Sequence, residues 1–523
     1  MTRSGGEAKT AKGPRCGAAS MDGDRERLMR KRTLAVGLMV GLAALIMASC
    51  GGNDTATPRV LGKGALITFI GDTPASDVLS LRTTITGMTL KQEGTANRVA
   101  VFPTSSSTTS LVKVNFASLR DFATVLTIAA LPETTYDEVI LTFSASQIVL
   151  YDPSKDPPIR VVNARLSTAT PVIPIQPALT VTKDGVFALR LDFDILRSIE
   201  VDPNGEVNGN VTPVLSAAPV DSIEGQGFGE LDDLVGFVRT VSPYSTGQNF
   251  TGAFTLQLLA GTGPAVTVNF TSSTELFGVS ALNQLETGRV VEVDAVVDEG
   301  GNVVAKTVEV EDRAVLADEK LAFLGSVLSV TRDYSGNVVQ FSFYVREEEP
   351  DSGGYVPLDS VVVVNVSSTT NFQYSSRSTN FASLPFDATA VTPGQELIVH
   401  GKYTRATDQP TTVAANSIFL KLQTVQGNLS SLVQVGSDDK TGAFWLTPSA
   451  SLLQGAPILV FTTNTAEFQT AFVNVFGLAE LAPQANLLVR GLPFYENQAG
   501  TINGVAVPAG TLVITARQIH QLQ

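Results

Sequence analysis

Three stretches of the chain repeat one another at a period of about 90–110 residues, and no other feature restricts the fold as strongly. Each copy opens on an apolar strand carrying a glycine: Leu234-Val235-Gly236-Phe237-Val238, Phe323-Leu324-Gly325-Ser326-Val327 and Val425-Gln426-Gly427-Asn428-Leu429. An aromatic strand follows, with Phe254, Phe341-Ser342-Phe343 or Phe444-Trp445. A third apolar strand leads into a threonine and a phenylalanine: Thr274 and Phe277, Thr370 and Phe372, Thr465 and Phe468. The fourth strands are Val291-Glu292-Val293-Asp294-Ala295, Leu397-Ile398-Val399-His400-Gly401 and Leu487-Leu488-Val489-Arg490-Gly491. The copies close on strands through Ala305-Lys306-Thr307-Val308, Ala415-Asn416-Ser417-Ile418 and Ala516-Arg517-Gln518-Ile519. Stacked solenoid layers repeat every 20–50 residues or so, so these units are whole domains.

The fold class expected is all-β. Short runs of Val, Ile, Thr and Phe recur between turn residues from Gly64 onward, as in residues 65–70, 111–116, 139–143 and 186–193, with a turn at Asp202-Pro203-Asn204-Gly205. Five strands per copy, with a short helical stretch at 279–285 before the fourth in copy one, predict a small closed barrel. The strand order resembles an oligonucleotide/oligosaccharide-binding (OB-like) barrel. The repeat itself is similar to the family called domain of unknown function 5666, built on "Gly-x-Val … Thr-x-Phe … Gly-x-x-Val-x-Val-x-Gly … Ala-x-x-Val". Copy one fits best, through Gly288 and residues 291–295, and the other two drift and carry insertions. Upstream, Asn115-Phe116 through Leu131-Pro132-Glu133-Thr134-Thr135-Tyr136, Leu191-Asp192-Phe193-Asp194 with Ser198, and the closing strand Val211-Thr212-Pro213-Val214-Leu215 resemble domain of unknown function 4382. Thr134 stands where that family usually has glycine. The resemblance implies an immunoglobulin- or transthyretin-like β-sandwich without a known activity. The expected layout is a leader at 1–49, a tether at 50–60, a sandwich at 61–220, and barrels at 230–314, 320–422 and 423–523.

The leader sets the expected compartment. Arg30-Lys31-Arg32 precedes fifteen mostly apolar residues, 34–48, and then Ser49-Cys50-Gly51. A cationic start, an apolar core of roughly 7–15 residues and small residues at the cut site make a signal peptide. A membrane-spanning helix needs about 20 apolar residues, and Asn53-Asp54-Thr55 follow too soon. Residues 45–51 resemble the lipobox of bacterial lipoproteins, with Met47 where leucine is usual, which implies acylation of Cys50 and removal of the leader. Gly51 after the cysteine resembles lipoproteins sent to the outer membrane. Met1, Met21 and Met29 are alternative starts. Several acyl chains hold a protein firmly where one holds it only marginally. With Cys16 in the leader, the processed chain has one cysteine and no internal disulfide.

Removing residues 1–49 leaves a net charge of −19. That charge disfavours nucleic acid and anionic lipid head groups, which bind through basic patches. The two histidines, His400 and His520, align with Asp294 and Arg490, and with Glu309, and read as solvent-facing strand positions. No Gly-x-Ser-x-Gly elbow, phosphate loop or His-Glu-x-x-His helix is present. Asp192, Asp194, Glu200 and Asp202 are the densest acids of the first domain, read as strand and turn charges. Asp192, Asp194 and Asp202 are the candidate ligands for calcium, the one cofactor considered, although their spacing is not that of an EF-hand. Two carboxylates flanking a scissile bond can also hydrolyse a glycoside, which keeps a carboxylate-dependent hydrolase of polysaccharide as an alternative. Glu309-Val310-Glu311-Asp312 and Glu347-Glu348-Glu349 read as solvated loop charge. Trp445 beside Phe444, Tyr344 beside Phe343, and Tyr495 beside Phe494 are the candidate glycan-stacking residues if exposed. The expected function is a lipid-anchored envelope protein with a non-catalytic binding or scaffolding role, its partners the membrane and a polysaccharide or envelope protein. A structural spacer lifting the first domain above the membrane is the other alternative.

Overall fold

Residues 63–521 are described by the computed structural model, except 74–76, 103–111, 119–123, 204–206, 223–226, 244–249, 259–264, 311–320, 350–358, 375–383, 405–410, 450, 454–455 and 471–476. All described modules belong to one unit, Ala56–Gln523. The first module comprises β1 (Lys63–Thr73), β2 (Val78–Gln92), β3 (Arg98–Phe102), β4 (Val112–Asn115), β5 (Thr124–Pro132), β6 (Thr134–Tyr151), β7 (Ile159–Leu166), β8 (Val172–Val181), β9 (Val186–Asp194), β10 (Ile199–Val201), β11 (Val207–Val211) and β12 (Leu215–Val220). One layer runs β5-β1-β9-β12, the other has β2 and β6 with β7, β11 and β10, and β8 pairs with both β6 and β12. The expected sandwich is therefore present. In β2 a bulge between Ile85 and Gly87 shifts the phase, so Leu81 and Ile85, then Met88 and Leu90, all reach the core.

The family-like motifs of this module are structural joints. Leu131-Pro132-Glu133-Thr134-Thr135-Tyr136 carries the chain from β5 in one layer to β6 in the other. Tyr136 is fully buried and its hydroxyl donates to the Pro132 carbonyl at 3.1 Å, pinning that corner. Phe193 stacks on Phe116 with ring centroids 4.1 Å apart. The expected closing strand 211–215 is divided: Val211 ends β11 and Leu215 begins β12.

Three closed five-stranded barrels follow. The first has β13 (Gly229–Pro243), β14 (Gly252–Leu258), β15 (Val266–Phe270), a short β16 (Glu275–Phe277), β17 (Val290–Val297) and β18 (Val303–Val310). The second has β19 (Leu321–Arg332), β20 (Val338–Glu349), β21 (Ser360–Asn365), β22 (Asn371–Tyr374), β23 (Glu396–Thr404) and β24 (Thr412–Leu420). The third has β25 (Gln423–Val435), β26 (Gly442–Pro448), β27 (Ile458–Thr470) and β28 (Asn486–Glu496), then a hairpin of β29 (Gly500–Ile502) and β30 (Val505–Val507), and finally β31 (Thr511–Gln521). In each barrel the first strand pairs with the second and fourth, and the third and fifth close the wall in parallel: β15 with β18, β21 with β24, β27 with β31. The helical stretch expected at 279–285 is a single 3-10 turn, Leu282–Gln284.

The repeat residues have geometric duties. A Cβ on Gly236, Gly325 or Gly427 would lie 2.3, 1.8 or 2.4 Å from a main-chain oxygen of the second strand, so only glycine lets the two strands approach there. Thr274 donates to the Ala305 carbonyl at 2.8 Å and Thr370 to that of Ala415 at 2.9 Å, latching the loop after the third strand to the fifth. The same hydroxyls accept from Thr271 N and Ser367 N, each at 3.0 Å.

The barrels do not hang as separate beads. β17, residues 397–401 of β23 and residues 487–494 of β28 are buried on both faces of the strand, with one half-buried exception in β17. Phe237 and Val290 of the first barrel pack with Ala322, Leu324, Ile398 and Phe419 of the second. The core of the second continues onto Ala443, Leu459, Phe461, Leu492, Phe494 and Val513 of the third. The sandwich joins the first barrel through Ile67 and Ala188, and the second through Leu79 and Val149.

Thr370→Val removes the latch donor and leaves the buried Ala415 carbonyl short of a partner. A loss of about 1–3 kcal/mol is expected, read by urea denaturation, and Thr370→Ser should retain most of it.

Candidate functional site

The residues singled out from sequence are scattered over the joints of the molecule. Cys50, the leader and the tether lie outside the described residues. Of the acids, Asp194 caps a short α-helical turn, Ile195–Ser198: its Oδ1 accepts the Arg197 N–H at 2.8 Å. Ser198, the serine of the same motif, donates to the Asp194 carbonyl and accepts the Val214 N–H at 2.9 Å. Glu200 accepts from the Asn210 amide at 2.7 Å. Asp202 is half-buried and itself engaged. Asp192 is half-buried too: burial pushes its carboxyl above the usual range, with Arg190 opposing and Asp194 adding to the rise. Among the described residues no three His, Cys, Asp or Glu gather as a metal site, and Asp194 is turned to its helical turn. The structure does not bring Asp192, Asp194 and Asp202 together as one ligand set.

Two sequence readings are corrected by burial. His400 is only 3% exposed, and His520 is half-buried, its pKa lowered first by desolvation and then by the Arg190 charge of the sandwich. Glu309 is 4% exposed rather than solvated. The positions do face out of their own barrels, as the strand alternation required, but the neighbouring module covers that face.

Of the aromatic candidates, Tyr344 is corrected in the same way, whereas Trp445 and Tyr495 are half-buried. Tyr344 is 1% exposed and packs in a cluster with Leu79 and Val149 of the sandwich and Leu328 and Leu452. Its hydroxyl donates to Asp359 Oδ1 at 2.6 Å, and Asp359 also receives Arg82 Nε of the sandwich at 3.0 Å. Burial, then the Asp359 charge, pushes the Tyr344 phenol well above its ordinary pKa. Arg82 further donates to the Arg346 carbonyl at 2.7 Å, and Arg346 forks onto Glu396 with two bonds of 3.1 Å. Trp445 is partly buried in the cluster joining the second and third barrels. Tyr495 lies under the Arg332 guanidinium at 5.2 Å, and Phe494 beside it meets Tyr374 edge-on. The rings beyond the repeat pattern are thus rings of the interfaces.

The densest polar arrangement, unread from sequence, lies where the first barrel meets the third and the link between β24 and β25. Lys421 Nζ contacts Glu292 Oε2 directly, with both residues at most 4% exposed. Asp294, fully buried, accepts Arg517 Nη2 at 2.7 Å and Thr307 Oγ1 at 3.1 Å. Glu309 stands opposite Glu292 across the β17–β18 pair, and Arg490 is also buried. Two signals were available in the sequence. Val-Glu-Val-Asp in β17 alternates as a solvated strand does, and Lys421 sits between Leu420 and Leu422. Neither distinguishes water from a neighbouring module. An open groove on the first barrel, lined by Thr271, Ser273, Glu275, Lys306 and Thr307, completes the polar surface features.

Residues 63–210 match the family described as Domain of unknown function (DUF4382), and residues 251–309 match Domain of unknown function (DUF5666). No curated protein matches the chain. Among solved structures, the chain is similar to drosophila Unr CSD456 at 11% identity, covering 58% of this chain and 99% of that one with a TM-score of 0.14.

Two outcomes follow from these environments. Removing the Tyr344 hydroxyl (Tyr344→Phe) leaves Asp359 one donor short inside the sandwich joint, and should cost about 1.5–3 kcal/mol in chemical denaturation. Because burial raises the Asp192 pKa in the fold, its contribution is favourable below the unfolded pKa and is lost as pH rises through the folded one. Asp192→Asn is therefore expected to raise the melting temperature at pH 7 and to leave it nearly unchanged at pH 3.

Proposed function

We propose that the chain is a lipid-anchored cell-envelope protein with a non-catalytic binding or scaffolding role, held to the outer membrane by acylated Cys50. One observation carries the non-catalytic part. Among the described residues, the side chains singled out for chemistry are largely occupied in joints: Asp194 in a cap, Glu200 on Asn210, His400 and His520 under neighbouring modules, Tyr344 in the Asp359–Arg82 lock. Polar atoms bound in structural contacts would have to break them to reach a substrate, at about 1–3 kcal/mol each. The anchoring part rests on the cationic stretch, the apolar run and the residues around Cys50.

Four modules in mutual contact offer a partner a pre-ordered surface, which lowers the entropy cost of binding. The net charge of −14 for the whole chain disfavours polyanions and leaves neutral polysaccharide or envelope proteins as the partners. The hydroxyl-lined groove of the first barrel is the open polar surface suited to a sugar. No helix among the described residues is long and apolar enough to cross a membrane, so attachment on this reading falls to the lipid.

Metabolic labelling with a fatty acid, followed by membrane fractionation, tests the anchor. Wild-type chain should carry label and sediment with outer membranes, whereas Cys50→Ala should lose both label and processing at that residue. Unlabelled wild-type protein would overturn the anchor. Protease added to intact cells then reports which face of the membrane the modules occupy, and so which partners to screen.

A further inference from the structure

We propose that Lys421 and Glu292 condense into an intramolecular isopeptide bond, welding the first barrel to the link between the second and third. The amine and carboxyl are already in direct contact, 129 positions apart in the chain. Both are at most 4% exposed. The Lys421 backbone is fixed as well, its N–H donating to the Glu396 carbonyl at 3.0 Å.

Glu292 lies on the same face of β17 as Val290, two residues away, and Lys421 follows two residues after Phe419. Val290 and Phe419 belong to one buried apolar cluster with Phe237, Ala322, Leu324 and Ile398. Burial of both groups keeps bulk water away from the contact.

The repeat supplies an internal control. The strand pair Glu292–Glu309 corresponds to Ile398–Phe419 in the second barrel and to Leu488–His520 in the third. In the second barrel, then, apolar residues satisfy these positions in the same architecture, while in the third a histidine faces Leu488. A buried ion pair typically stabilises no better than an apolar replacement, so two facing glutamates and a lysine call for another reason. Glu309 provides it. It stands directly across from Glu292 with its side chain on the same face, and it is 4% exposed.

Starting from the ammonium and two carboxylates, Glu309 takes a proton from Lys421 and frees the amine to attack the Glu292 carboxyl carbon. The Nζ–Cδ bond forms, Glu309 passes that proton and then a second one from the nitrogen to the same Glu292 oxygen, and the C–O bond to that oxygen breaks. Two of the three ammonium protons leave in one water, and Glu309 ends as it began. No oxidant or other co-reactant enters. Amide formation is slow between separate molecules in water, but effective molarities of about 10⁵–10⁸ M for well-oriented groups lower its barrier by about 7–11 kcal/mol.

Peptide mapping of the purified full chain by mass spectrometry after trypsin tests the bond. Trypsin should fail to cut after Lys421, and residues 290–306 should appear joined to 406–440, lighter than the sum by one water. Lys421→Arg should abolish the joined species completely, and Glu309→Gln should abolish it while Lys421 and Glu292 remain. Separate 290–306 and 406–421 peptides in quantitative yield from folded wild-type protein would overturn the proposal. Joined peptides at wild-type yield from Glu309→Gln would overturn the part assigned to Glu309.

Discussion

The fourth strand of every barrel is buried on both of its faces, and the arrangement of the modules depends on that double burial. One face of β17, β23 or β28 lines its own barrel, and the other receives a neighbour. A small barrel closes its own hydrogen-bonding edges and has no open strand edge to offer a neighbour. Its neighbours can only be held through side chains on the outer wall. Those walls carry Val290, Ile398 and Leu492, residues that would otherwise face water.

Magnitudes decide which contacts hold the joint. Phe237, Val290, Leu324, Ile398 and Phe419 bury large apolar side chains at about 1.5–3 kcal/mol each. A buried ion pair roughly cancels its own desolvation cost. The apolar cluster therefore supplies the affinity between the first two barrels, while Glu292–Lys421 and Asp294–Arg517 restrict which faces can meet. A shifted docking would leave a carboxylate buried without its cation, at a cost of about 3–5 kcal/mol. The Arg82–Asp359–Tyr344 group does the same for the sandwich against the second barrel.

Much of the fold was legible because strands, turns and close approaches are local. Alternation marked the strands, and the period of the repeat marked whole domains. The motif glycines and threonines proved to be the close-approach points and loop latches of each barrel. The motif Asp194 and Ser198 were visible, but as acids and hydroxyls without a duty; the helical turn and Val214 give them one. His400, Glu309 and Tyr344 were misread for a single reason. Alternation tells which way a side chain leaves its strand, not whether water or another module waits there. The extra rings beside the repeat aromatics were the visible trace of that second layer of burial.

The sequence by itself determined the all-β class, the sandwich followed by three related barrels, and the residues each barrel needs to close. These follow from periodicity, glycine sterics and turn chemistry, which act over a few residues. Only the tertiary structure decided that the barrels pack wall to wall and that Lys421 meets Glu292 across 129 positions. Packing between modules depends on the shape and charge of complete surfaces. A surface exists only after distant strands have been brought side by side, so no local pattern along the chain encodes it.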